Sequence, residues 1–256
     1  MQHSNQFRLI GIIFVLIVLS CLSYLFYFKP HAAKPYQVTI NAGITFQQML
    51  KDLRANSHLQ HTLKNDDAKT IMSNLGQKDK SPEGQFLPDT YSFKSGTTDS
   101  EILSKAYQKM QDKLAIIWAS RSFNLPYKNP DQLLIAASII EKEAMLDKER
   151  PIIAGVIINR LAKNMPLQMD VTTIYGLKKF DAKLRPADLD NNNPYNTNNR
   201  LGFPPTPIAL PSESSLQAAA HPDNNDYLYF VSKGDKSHDF SVTGKEHKAA
   251  VEKYQH

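Results

Sequence analysis

The feature that most constrains this chain is the stretch from Leu9 to Phe28, which contains no charged residue. A helix needs about 20 apolar residues to cross a bilayer, so residues 9–28 read as a transmembrane helix behind a short cytoplasmic tail, residues 1–8. A cleaved signal has an apolar core of only about 7–15 residues. Val18-Leu19-Ser20-Cys21 does resemble a lipoprotein cleavage box, yet the apolar run continues through Leu22 to Phe28, where a lipoprotein would turn polar. An uncleaved single-pass anchor is the expectation. Arg8 on one side and Lys29 and Lys34 on the other barely engage the positive-inside rule, but long domains translocate largely regardless of charge. The larger part of the chain is therefore expected on the outer side of the membrane.

Residues 29–36, with Pro30 and Pro35, form a linker that keeps the domain at 37–256 close to the bilayer, since a residue spans at most about 3.6 Å. That domain is long enough to bury a real core. Cys21 is the single cysteine, which rules out an internal disulfide. The net charge of +5 and pI near 9.1 are carried by scattered lysines without interleaved aromatics, which argues against nucleic acid and leaves room for a weak attraction to anionic lipid or wall polymer. His58 and His61 have no partner at zinc spacing and read as a solvated helix face. With no glycine-rich phosphate loop either, neither a metal nor a cofactor is expected.

Helix starts are legible. Thr45-Phe46-Gln47-Gln48 and Thr98-Asp99-Ser100-Glu101 have the capping-box form, predicting helices over about 45–55 and 98–120. Asn129-Pro130 opens another, and Pro151 the next, with Ile152, Ile153, Val156, Ile157 and Leu161 at helical spacing. Tyr227–Ser232 and His238–Thr243 read as a hairpin around Lys233-Gly234-Asp235-Lys236, and Thr243-Gly244-Lys245-Glu246 caps a last helix. Helices first and antiparallel strands later predict an α+β domain. The stretch from Asn191 to Pro211, rich in Pro, Asn and Thr, is a loop long enough to be functional.

The helix after Asn129 is apolar almost all round and then ends in "ASIIEKEA", Ala137 to Ala144. Glu141 and Glu143 are two residues apart, about 200° around a helix, so they cannot face one cleft and only one is a working acid. Glu141 lies over Leu134, Ala137 and Ser138, whose small side chains leave room for a ligand. Glu143 stacks over Ile139 and Ile140, with a lysine near enough to pair. Spacing does not decide between them, and a charge-balanced helix end is the plain alternative.

A wider pattern adds to this. Ser81-Pro82-Glu83-Gly84-Gln85-Phe86-Leu87-Pro88-Asp89, "ASIIEKEA", Val156-Ile157-Ile158-Asn159-Arg160-Leu161, Leu167-Gln168-Met169-Asp170, Ile174-Tyr175-Gly176, Asn193-Pro194-Tyr195-Asn196-Thr197 and Tyr227-Leu228-Tyr229-Phe230-Val231 stand in that order, ahead of His238 and Glu246-His247. In this the chain resembles the YceG-like family of endolytic murein transglycosylases from about Tyr36 onward. The resemblance implies a lytic transglycosylase that cuts the MurNAc–GlcNAc bond of nascent peptidoglycan strands and leaves 1,6-anhydro-MurNAc ends, with peptidoglycan synthases as candidate partners. It implies Glu141 as general acid and then base, its proton held by apolar surroundings. Glu83, Gln168, Asp170, Tyr175, Asn196 and His238 fall in the motifs as candidate substrate-binding residues, although each taken alone reads first as a turn, loop, core or cleft-edge residue. The chain departs from the family's usual "LQTDPT" at Met169 and Val171, and the LysM-like unit of relatives is missing or reduced to a remnant. A glycan-binding scaffold without catalysis, and a muramidase-type hydrolase using Asp170 as second carboxylate, are the alternatives.

Overall fold

The structure is a computed structural model that describes residues 15–21, 23–24, 35–63, 68–178 and 184–255. The chain divides into two units, Met1–Pro35 and Tyr36–His256. In the first, residues 15–21 are helical with their side chains exposed. The expected tail, most of the expected span at 9–28 and most of the linker lie outside the described residues, and among the described residues no helix is long and apolar enough to cross a membrane.

The second unit is α+β, with two separate two-stranded antiparallel sheets among its helices. It opens on β1 (Tyr36–Ile40), which pairs with β2 (Asp89–Phe93) in the register Val38 opposite Tyr91. This strand pair precedes most of the helices, so the expected order of helices first and strands later is corrected. Between its strands lie α1 (Phe46–Ala55) and α2 (Ala68–Asn74). His58 and His61 follow α1 in a turn and a coil, not on a helix face, and the His58 ring stacks on Tyr36 at 4.0 Å. The long α3 (Asp99–Ser120) then runs past two cores. Its first half, with Ile102, Leu103 and Ala106, joins Val38, Phe46, Met49, Phe86 and Tyr91 in one, and its second half, with Met110, Leu114 and Ile117, joins the other.

That second core is built on α4 (Pro130–Glu143), whose residues 133 to 140 are all buried. A short 3-10 turn (Asp147–Glu149) leads into α5 (Arg150–Ala162), followed by α6 (Asp170–Leu177), α7 (Pro186–Leu189) and α8 (Glu213–Ala220). Helix α4 packs against α3, α5, α6 and α8, which explains why it is apolar on every side. The chain ends in β3 (Tyr229–Ser232), β4 (His238–Ser241) and α9 (Gly244–Tyr254). The predicted hairpin is present, shortened at both outer ends. Thr45, Thr98 and Thr243 each make the reciprocal capping-box bonds expected of them.

Helix α5 positions the hairpin. Asn159 donates through Nδ2 to the carbonyls of Asn225 (2.8 Å) and Tyr227 (3.0 Å), and Arg160 Nε donates to Leu228 O at 2.6 Å. Gly155 allows this close approach, because a Cβ there would meet Asn225 Nδ2 and come within 2.7 Å of Asp223 O. A Gly155→Ala variant is therefore expected to lose about 1–3 kcal/mol of stability by overpacking, read as a drop in the urea midpoint with an unchanged slope.

Candidate active site

The three residues ending α4 point three ways. Glu143 lines a cavity of about 460 Å³, Lys142 lines a smaller one of about 260 Å³, and Glu141 turns inward to α5 and α8. The expectation that the two glutamates cannot share a cleft follows from the same helical spacing.

The segment after α5 supplies the wall of the larger cavity opposite Glu143. Leu167 and Met169 are buried while Gln168 and Asp170 alternate outward into the cavity. Gln168 has φ +53°, an uncommon conformation for a non-glycine residue. It is held there by its own N–H to Thr197 O (2.9 Å) and by Arg160, whose Nη1 donates to its Oε1 at 2.7 Å. That bond turns the carboxamide N–H₂ of Gln168 away from Arg160. The remaining Nη1 contacts of Arg160 are the carbonyls of Pro166 (2.9 Å) and Leu167 (3.2 Å), so this buried guanidinium fastens the 166–168 segment to the start of β3. Tyr229, Phe230 and His247 close the cavity from the hairpin and α9.

Burial pushes the Glu143 carboxyl up to about 8, with the nearby Asp170 carboxylate as the second cause, against a smaller opposing bond from the Val171 backbone. Glu143 therefore carries its proton at neutral pH. The surroundings of Glu141 are of another kind. Its side chain is only 7% exposed, but its neighbours are polar: Oε2 accepts from Ser212 N–H (2.9 Å), Ser212 Oγ (2.5 Å), Ser215 Oγ (2.7 Å) and Arg150 Nη1 (3.1 Å). Arg150 Nη2 lies 3.5 Å from Oε1. The expectation of an acid among apolar groups is corrected at this position. Glu141 is half of a buried ion pair that also caps the N-terminus of α8, and the acid on the larger cavity is Glu143. Among the described residues neither glutamate pairs with a lysine; Lys142 Nζ donates to Gly43 O at 3.1 Å.

Of the other expected residues, Gln168 and Asp170 are brought together with Glu143. Asn196 is not: it is completely buried, donating to the carbonyls of Leu189 and Asn191 and accepting from Thr173 Oγ1 and the Asn198 N–H, which leaves no group for a sugar. Glu83 is buried behind the smaller cavity, accepting from the Phe46 N–H (2.9 Å) and from the Tyr175 hydroxyl (3.0 Å), and burial lifts its carboxyl to about 7. Tyr175 lines that smaller cavity. His238 is a satisfied core histidine, its Nδ1 2.7 Å from Glu149 Oε2 and its backbone N–H on Oε1. Sequence reasoning passed over Arg160, Tyr229, Phe230 and His247, although all four lie in the motifs quoted above. Among the described residues no cluster suited to a metal ion occurs.

The model of the YceG-like family matches residues 22–253. An endolytic murein transglycosylase of Bacillus subtilis is 40% identical over 172 residues, covering 67% of this chain and 48% of that protein. One from Streptococcus pneumoniae is 32% identical, covering 63% and 31%. The chain thus spans half or less of the curated relatives it matches. The crystal structure of a YceG-like protein from Listeria monocytogenes superposes with a TM-score of 0.71 at 30% identity, covering 85% of this chain and 76% of that one.

Proposed function

The chain belongs to the YceG-like family, and on that premise we propose that it is a lytic transglycosylase of peptidoglycan, with Glu143 as its acid and then its base. The observation that carries this reading is the Glu143 carboxyl on the wall of an open cavity, beside Asp170 and Gln168, where burial and the Asp170 carboxylate raise its pKa. The names of the relatives, endolytic murein transglycosylase, supply the substrate class.

In the proposed reaction Glu143 gives its proton to the glycosidic oxygen as the C1–O bond breaks. The positive charge that develops at the anomeric carbon is offset by the carboxylate of Asp170. The C6 hydroxyl of the same sugar then closes on C1, and the ionised Glu143 takes the hydroxyl proton, which returns the acid to its starting state without water. An attacking hydroxyl tethered to the ring has an effective concentration far above that of a free solute.

A second reading is favoured by one feature. Asp170 is close enough to raise the Glu143 pKa, and such a carboxylate could instead activate water, as in an ordinary glycosidase. Mass spectrometry of un-crosslinked glycan after incubation with the full chain separates the two: 1,6-anhydro ends are expected, reducing ends would establish the hydrolase, and uncut glycan a binding scaffold. We further place the run from Leu9 to Phe28 in the cytoplasmic membrane as a single-pass anchor, with the catalytic unit outside among nascent strands. Support for the anchor is its length without charge.

A further inference from the structure

Among the described residues, His247 is the one wall residue of the larger cavity with a closed-off side-chain polar atom that lacks a partner. Its Nδ1 is closed off from solvent and has no hydrogen-bond partner. The other ring nitrogen, Nε2, makes no bond among the described residues and is not closed off, so it is the nitrogen open to the cavity that the ring lines. The plane of the ring is fixed by stacking on Tyr229 at 5.1 Å and 18°, and Tyr229 in turn lies 4.9 Å from the Arg160 guanidinium.

This geometry sets the tautomer. A buried N–H without an acceptor is rarer and costlier than an unsatisfied lone pair, so the enclosed Nδ1 carries the lone pair. Burial and the charge of Arg160 lower the pKa of the ring, which keeps it neutral. His247 is then a fixed N–H donor at Nε2, beside the carboxamide N–H₂ of Gln168 and the apolar ring of Phe230. A carbonyl with a methyl group attached fits such a wall better than a sugar hydroxyl does.

Resting on the reading of this cavity as a glycan site, we propose that the Nε2–H of His247 donates to the acetamido carbonyl of an N-acetylated sugar and makes the protein selective for N-acetylated glycan. The test is binding of un-crosslinked glycan oligomers, and of the same oligomers after de-N-acetylation, to the full chain in a Glu143→Gln background that removes the proposed acid. His247→Asn, whose amide cannot reach the Nε2 position, is expected to weaken binding of the N-acetylated oligomers roughly tenfold, the worth of one good neutral hydrogen bond. His247→Gln, which places an N–H near that position, is expected to stay within about threefold of the parent. Neither should alter binding of the de-N-acetylated oligomers. Both lose the stacking on Tyr229, so their difference isolates the donor, and melting curves establish that each is folded.

Unchanged affinity in His247→Asn overturns the proposal. So does equal weakening in both variants, which would assign the effect to stacking, and so does a parent that binds the two glycans alike. If Glu143→Gln still cleaves glycan, the acid assignment falls while the binding comparison still decides the role of His247. A parent that binds neither glycan removes both.

Discussion

Replacing Glu143 by glutamine is expected to slow glycan cleavage by about 10²–10⁴-fold, the usual contribution of a positioned general acid, and at the same time to make the protein more stable at pH 9. The two effects have one cause. The folded-state value of about 8 lies above the ordinary 4.5 of a glutamate. Below about pH 4.5 both folded and unfolded chains hold the proton, and the group is neutral toward stability. Between the two values the unfolded chain ionises while the folded one does not, so stability falls as the pH rises; above about 8 the loss is complete. Glutamine cannot ionise, and melting temperatures measured from pH 5 to pH 9 should fall less steeply in the variant, most clearly above about pH 7, where Glu83 has already lost its proton. Cleavage by the unaltered protein should decline as pH rises through about 8, because the acid form disappears there. Wild-type turnover in Glu143→Gln would sink the assignment.

What could be read from the sequence is what neighbouring residues decide. The capping boxes at Thr45, Thr98 and Thr243 need only a hydroxyl and a side chain three positions on, and all three helices start where predicted. The burial of α4 follows from its apolar circumference. Pairing of β1 with β2 was not legible, since two helices separate Val38 from Tyr91 along the chain. The same limit applies to the choice between the glutamates. Helical spacing says that they diverge, but which of them meets a cavity depends on where distant segments come to rest. Ser212, Ser215 and Arg150 arrive at one side of α4, and Gln168 to Val171 at the other. Asn196 shows the reverse case: a polar residue in a long loop reads as a sugar ligand until four internal partners are seen to use all of its valences. His247 lay in a quoted motif, yet its place in the cavity wall depends on α9 packing against β3.

Glu141→Ala is expected to do the opposite of Glu143→Gln, costing stability while leaving the acid in place. The pair it breaks is buried, with side-chain exposures of 7% for Glu141 and 11% for Arg150. Removing one partner leaves the other charge uncompensated, which typically costs about 3–5 kcal/mol, a large share of the roughly 5–15 kcal/mol that holds a domain together. Ser212 N–H and the hydroxyls of Ser212 and Ser215 lose their acceptor as well. Arg150 would keep the neutral Ser215 hydroxyl at 2.5 Å and Asp147 Oδ1 at 2.8 Å, on a side chain that is 82% exposed, too solvated to replace a buried carboxylate. Urea unfolding should show the drop as a lower midpoint. Two comparisons make the result decisive. Substituting both partners together, Glu141→Leu with Arg150→Met, should recover much of the loss, because a well-packed apolar pair avoids the desolvation of two charges. Glu141→Ala should also still cleave glycan at a temperature where melting curves show it folded. A folded but inactive Glu141→Ala, beside an active Glu143→Gln, would move the acid one helical half-turn back to Glu141 and the chemistry with it, away from the larger cavity.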